Sequence, residues 1–362
     1  MQRPVMDPML MFAEDDARVA AASARALNPH SRVWAKLREA AVHALHAGRI
    51  VGRVMFSRPL GRRRDPDAQQ PILSRLVRAC AYRALFVPIF LALWAVALVY
   101  RGTHPVRFGS DKLPAVPGVF YETLEFNSTA DTTPLMAWFV PVIDAQRVLE
   151  LKNKVLKEKQ PAVVLVHDFN KTPSQMVPLI APLHARGFVV AVVGLRGAGR
   201  NGAGAQTFGL NESGDVRATL AQLRQHTSVD TSRIAIVGVG TGANAAVIAA
   251  AEEKGGVKAL VLVNPYETTD QVIADRIGPK RPGLEWMQQA SKWAFEMGYH
   301  VDADDLHLSR FKDLLDSPTT NVVAADPGAE LTADSVAGIT DFCVKRLTPA
   351  KPEVASTSGG GN

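Results

Sequence analysis

Gly238-Val239-Gly240-Thr241-Gly242 has the spacing of G-x-S-x-G, the tight strand-to-helix turn on which a serine is presented for attack on a carbonyl. The residues before it, Ile234 to Val237, read as a buried strand. Those after it, from Ala243, read as the start of a small-residue helix. Gly240 holds the nucleophile's place, and glycine has no side chain to attack with. Thr241 carries a hydroxyl one position later, but using it as the nucleophile requires the turn to shift by one residue. Serine-type acyl transfer further needs a histidine base, an acid that orients it and two N–H donors for the oxyanion. Where this turn is used, the order along the chain is serine, acid, histidine. The last histidine here is His307, and the 55 residues after it contain none.

The remaining polar groups form no stronger constellation. His300, Asp302, Asp304 and His307 have the side chains of metal ligands without the spacing of a ligand motif, and they read as exposed polar residues. No metal and no cofactor are expected. Cys80 and Cys343 are too few for a disulfide framework or a cysteine-based metal site. Asp326 and Glu330 follow a strand-like Thr320 to Ala325 and could supply an acid, although Asp326-Pro327-Gly328 reads equally as an ordinary turn.

The elements that would position these residues follow from apolar patterning. Val119–Phe126 and Leu135–Val142 alternate like an antiparallel pair. Ala162–Val166, Val189–Val193, Arg233–Val237 and Ala259–Val263 are short continuous apolar strands. Between them lie helical segments at Pro173–Arg186, Glu212–Gln225 (with Asn211 as cap) and Gly242–Glu253, and Asp334–Leu347 is a final helix. Apolar strands alternating with helices indicate an α/β class with a mostly parallel sheet covered on both faces.

On these residues the chain resembles the α/β-hydrolase superfamily, in particular its dienelactone-hydrolase-like and prolyl-oligopeptidase-like members. Val163-Val164-Leu165-Val166-His167-Asp168 resembles the strand that ends in a His-Gly pair. Gly194-Leu195-Arg196-Gly197-Ala198-Gly199 is similar to a D-x-R-G-x-G turn, with Gly194 replacing the acid. Asp230 to Gly242 resembles the segment leading through the nucleophile turn, and Leu260 to Pro265 the next strand. The resemblance covers roughly residues 119–345. It implies that Thr241 lends its backbone N–H to the oxyanion site while its side chain points elsewhere. It also implies that His167 is structural, and that Asp168 stands where a glycine is usual and would repel a developing oxyanion. His167, Asp168, Phe169, Gly240 and Thr241 are the residues expected to line whatever cleft remains. The segment beyond Asp326 leaves little room for a further strand carrying a histidine, so the end of the fold reads as abbreviated.

Charge and hydropathy add an anchor. The net charge of +6 is concentrated in residues 1–83, which hold 15 Lys/Arg against 7 Asp/Glu; residues 84–362 hold 26 against 28. Ala84 to Tyr100 is a run of 17 residues without a charge. As a helix it reaches about 25 Å, slightly short of a ~30 Å hydrocarbon core. Trp94 and Tyr100 suit a membrane and its boundary. The organisation expected is a basic, partly helical region (1–79), a transmembrane helix (80–101), a linker (102–118), the α/β domain (119–347) and a flexible tail (348–362). The Lys/Arg bias places the N-terminus in the cytoplasm and the α/β domain across the membrane. Membrane lipid is the expected partner, with an unidentified protein or small-molecule ligand. The basic region lacks interleaved aromatics, so no nucleic acid is expected. The resulting expectation is a single-pass, membrane-anchored and catalytically inactive hydrolase-like protein that acts by binding. The alternative is an active serine/threonine-type esterase or peptidase with a displaced nucleophile.

Overall fold

Seven strands run in the order β1-β2-β4-β3-β5-β6-β7: β1 (Glu122–Asn127), β2 (Pro134–Val140), β3 (Gln160–Val166), β4 (Val189–Val193), β5 (Val229–Val239), β6 (Ala259–Val263) and β7 (Thr320–Val323). The computed structural model describes residues 72–104, 119–142, 159–199, 201, 204–278, 285–324 and 331–348. Of the sequence readings, residues 1–71 of the basic region (1–79), residues 105–118 of the linker (102–118), Asp326 and Glu330, and the tail beyond Thr348 lie outside these residues. The chain divides into two compact units. One comprises residues 107–201, 209–265 and 309–362; the other comprises 1–106, 202–208 and 266–308.

The first unit contains the sheet. β1 and β2 pair antiparallel, β2 joins β4 antiparallel, and the remaining neighbours are parallel. The parallel strands are short and apolar because both of their faces are covered. On one face lie α2 (Val177–Ala185), which follows a 3-10 turn at Pro173–Met176, and α7 (Ala333–Leu347). Leu179, Ile180 and Leu183 of α2 and Ile339, Cys343 and Leu347 of α7 pack with Val163, Leu165, Val190, Val237 and Val261 in one buried cluster. Two further helices of this unit, α3 (Glu212–Gln225) and α4 (Thr241–Glu252), pack on each other and on β5.

The sequence pattern locates these elements closely, with two differences in β5 and at the start of α3, and with the short end of the fold as expected. β5 begins at Val229 rather than Arg233, because Gln160 and Val229 extend its pairing with β3. The Asn211 side chain makes no capping bond; Glu212 instead turns back to accept the Gly209 N–H at 2.7 Å. No described strand follows β7, and the described chain resumes at Leu331, two residues before α7.

One buried ion network ties the turn after β4 to α3. Arg196 is 3% exposed and Asp215 fully buried. The Arg196 guanidinium gives Nη2 to Asp215 Oδ1 at 2.6 Å and Nε to Asp215 Oδ2 at 3.1 Å, and Nη1 reaches Asp131 Oδ2 at 2.8 Å. Burial opposes the charge on Arg196, but Asp215, with Glu212 and Asp131 behind it, outweighs burial and raises its pKa. Burial likewise opposes ionisation of Asp131. The Arg196 charge and hydrogen bonds from Thr133 and Arg196 overcome it and hold the carboxyl below its usual value.

The second unit is helical: α1 (Ile72–Thr103), α5 (Thr269–Arg276) and α6 (Trp286–Tyr299). α1 is one continuous helix through Pro88, and it runs two residues past the expected end of the apolar segment. Its residues Phe86 to Phe90 are exposed, while Ala95, Val99, Gly102 and Thr103 are buried. Phe208 stacks on Phe295 of α6 with ring centroids 5.6 Å apart. The sequence reading placed no helices between residues 266 and 308, and α5 and α6 fill that stretch.

Removing one partner of a buried ion pair leaves the other charge stranded. Asp215→Ala is therefore expected to lower stability by about 3–5 kcal/mol, measured by chemical denaturation of the purified chain. A loss below about 1 kcal/mol, the range of exposed pairs, would show that the network is not structural.

Candidate functional site at the turn after β5

The parallel pairing of β3 with β5 sets Val166 opposite Gly238, so the two strands end side by side. β4 lies on one side of β3 and β5 on the other. This is a reversal point in strand order, where open α/β sheets form crevices at the carboxyl ends of their strands. The chain leaving β3, His167-Asp168-Phe169, therefore meets the turn leaving β5, Gly240-Thr241.

Gly240 joins β5 to α4 with φ 56° and ψ −122°. That conformation strains a residue with a side chain by about 1–3 kcal/mol, and glycine adopts it freely. It is the sharp strand-to-helix turn on which a nucleophile would be carried. Gly242, one turn on, has no room for a side chain: a Cβ there would run into the His167 carbonyl oxygen and lie 2.8 Å from that of Val166. The absence of a Cβ lets the start of α4 press against the end of β3.

Asp168 occupies the place of the missing nucleophile. A Cβ built at Gly240 would overlap the Asp168 carboxyl carbon and Oδ1, and would lie 2.7 Å from Oδ2. Asp168 Oδ1 accepts the Thr241 N–H at 2.8 Å and the Phe169 N–H at 2.7 Å. These are the two donors that would form an oxyanion site in this architecture: the N–H after the nucleophile position and an N–H of the loop after β3. One carboxylate oxygen thus takes both of these N–H groups. Hydrogen bonds to a charged group contribute about 1.5–3 kcal/mol each, so an incoming oxyanion would have to displace an acceptor that already holds both donors.

Thr241 is 3% exposed. Its side chain does not point elsewhere, as the resemblance implied. Oγ1 donates to Asp168 Oδ1 at 3.2 Å and accepts from the Phe169 N–H at 2.9 Å. With no side chain on Gly240, the carboxylate comes within reach of the threonine hydroxyl. His167 is fully buried. Its Nε2 accepts the Leu195 N–H at 3.2 Å, which leaves the proton on Nδ1 to donate to the Asp168 carbonyl oxygen at 2.8 Å. Both ring nitrogens thus hold backbone in place. Gln175 completes the frame by accepting the Asp168 N–H at 2.8 Å.

All five cleft candidates, His167, Asp168, Phe169, Gly240 and Thr241, are brought together and all are buried. The acid candidates Asp326 and Glu330 lie outside the described residues. In the helical unit, Asp302 Oδ1 accepts the Asp304 N–H at 2.8 Å, Asp304 pairs with Lys292 at 2.8 Å, and His307 bridges to Thr268. Among the described residues no group of three or more His, Cys, Asp or Glu is placed to hold a metal ion. Sequence reasoning missed the Asp168–Thr241 contact and the Arg196–Asp215 pair. The first had no sequence signal, because 73 positions separate its partners.

A family model agrees with this architecture. Residues 157–310 match the family model of the S33 serine aminopeptidases. No curated protein matches the chain. Among solved structures, the Pyrococcus furiosus esterase Pf2001 is similar at 17% identity, covering 67% of this chain and 99% of that one, with a TM-score of 0.48. Porphyromonas gingivalis dipeptidyl peptidase 4 is similar at 18% identity over 63% of this chain and 35% of its own, with a TM-score of 0.41. Oligopeptidase B from Leishmania major is similar at 13% identity over 64% and 37%, with a TM-score of 0.42. The strand order, the turn at Gly240 and the matched segment together give the chain an α/β-hydrolase-like fold.

Because the Asp168 carboxylate and a Cβ at position 240 claim the same space, substitutions at the two positions are coupled. Gly240→Ser alone is expected to cost about 2–4 kcal/mol, combining overpacking with a strained φ. In an Asp168→Gly background the same change should cost about 1–3 kcal/mol less. Chemical denaturation of the four variants of this cycle measures the coupling. Equal costs in both backgrounds would mean that the carboxylate does not occupy the position.

Proposed function

We propose that this chain is a membrane-anchored protein of α/β-hydrolase fold that performs no serine hydrolysis and acts by binding a ligand or protein partner. One observation carries the reading: the Asp168 carboxylate holds both oxyanion donors at a turn whose nucleophile position is Gly240. Such donors accelerate acyl transfer only when they are aimed at an empty position where charge develops. Here that position already carries a charge. His167, the histidine beside this turn, supports the same reading, since both of its ring nitrogens are engaged by backbone groups.

The second reading, a displaced nucleophile, has one contact in its favour: the Thr241 hydroxyl lies 3.2 Å from a carboxylate that could take its proton. Against it, that hydroxyl also accepts the Phe169 N–H, and the donors that would stabilise the product oxyanion are the ones holding Asp168. A fluorophosphonate probe and short-chain p-nitrophenyl esters separate the two readings. The binding protein is expected to give no covalent label and no turnover above buffer. Labelling or turnover that disappears in Thr241→Ala would establish the threonine as a nucleophile and end the non-hydrolytic reading.

The anchor in this proposal is α1, one helix long and apolar enough to cross a membrane by length and composition, over Phe86–Thr103. The basic residues before it support an N-terminus on the cytoplasmic side. After insertion into sealed inverted vesicles, external protease is expected to remove the basic region and leave a protected fragment carrying the α/β domain. Digestion of that domain from outside would reverse the orientation.

A further inference from the structure

The length of the anchor helix conflicts with its packing unless a second helix also meets the membrane. Ala84 to Tyr100 supplies about 25 Å of uncharged helix, which a bilayer needs nearly in full. Yet only its first part is bare. Phe86, Val87, Ile89 and Phe90 are exposed around the helix, and Trp94 is 36% exposed. From Ala95 onward one face of the helix is packed into its own folded unit: Ala95 and Val99 are buried, Val96, Ala97, Leu98 and Tyr100 are half-buried, and a Cβ on Gly102 would lie 2.5 Å from Ile277 Cγ1. Thr103 Oγ1 meets the Tyr299 hydroxyl at 2.5 Å, and the Thr103 carbonyl accepts the Gln206 N–H at 2.8 Å. If lipid ended where packing begins, the membrane would surround only Ala84 to Trp94, about 16 Å of helix. Arg83 would then sit near the bilayer centre, where a charged side chain costs at least ~2.5 kcal/mol.

The conflict disappears if the packed part, Ala95 to Tyr100, also lies at membrane depth, so that the helix packed against it faces lipid in its place. That helix is α6, which contacts α1 within the same unit. α6 has two apolar faces. Met287, Ser291 and Phe295 are buried. On the other face, Trp286, Trp293 and Met297 recur at helical spacing and are 52%, 62% and 74% exposed. Gln289 and Ala290 lie between them, and the half-buried charges nearest the stripe are Glu296 and Lys292. Lys292, at its flank, is engaged by Asp304 at 2.8 Å and Asp270 at 3.1 Å. Two exposed tryptophans and a methionine on one stripe are costly in water and suit the headgroup–acyl boundary.

We infer that α6 is a membrane-interface helix, whose Trp286–Trp293–Met297 stripe enters the bilayer boundary beside the last turns of α1. The inference rests on the reading of α1 as a membrane anchor. The folded unit is then partly sunk in the lipid surface rather than suspended above it on a free tether.

Tryptophan quenching in phosphatidylcholine–phosphatidylglycerol vesicles carrying acyl-brominated lipid tests this with the full chain. Trp34 is replaced by Phe throughout, and Trp138, 7% exposed in the sheet core, stays as the internal unquenched reference for folding. One variant retains Trp94, with W286F and W293F; the other retains Trp286 and Trp293, with W94F. Quenching is expected in both, and the Trp286/Trp293 signal should respond more strongly to bromine near the headgroup than near the chain end. If Trp94 is quenched while Trp286 and Trp293 are not, as water or a protein partner on that face requires, the inference falls and the anchor stands. If neither variant is quenched, the anchor reading itself fails.

Discussion

The pairing of β3 with β5 is the constraint on which the site depends. Their register sets Val166 against Gly238, so both strands stop at the same level. Every contact of the site follows from that alignment. The residues leaving β3 can go only over the turn leaving β5, and Gly242 leaves room for them to do so at backbone contact distance. His167 then binds back to Leu195 at the end of β4, joining three neighbouring strand ends. Asp168 is delivered to the two N–H groups that the architecture aims at a reacting oxygen.

Seen as a sequence, Gly240 and Asp168 are two independent departures from a hydrolase pattern. In three dimensions they are one. The carboxylate fits because position 240 lacks a Cβ, and a Cβ there would overlap the carboxylate. The sharp turn at Gly240 presents the Thr241 N–H to Asp168. With the Phe169 N–H it clasps the Asp168 carboxylate, and the contact helps hold β3, β5 and α4 together.

α1 shows the same contrast between pattern and packing. Its composition reads as a simple span, because hydropathy counts residues without regard to what surrounds them. Packing divides it into a bare part before Trp94 and a part after it that is fastened to α6 through Thr103 and Tyr299. Within α1, Arg83 and the turns packed after Trp94 bound a short stretch that is both uncharged and exposed, which makes the outer face of α6 informative. The stripe was present in the sequence as Trp286, Trp293 and Met297 at spacings of seven and four, but that spacing marks a core face equally well.

The sequence by itself determined the α/β class, most strand positions, the glycine at the nucleophile position and the apolar helix. These are local properties: apolar runs, turn residues and motif spacing are read over a few neighbouring positions. Tertiary structure decided what the polar residues do. Whether Asp168 repels an oxyanion or replaces it, whether Thr241 points away or inward, and which apolar face of α6 is buried all depend on groups distant along the chain. Asp168 and Thr241 meet across 73 positions because a parallel crossover returns β5 to the side of β3. A side chain's chemistry is set by the partners the fold brings to it.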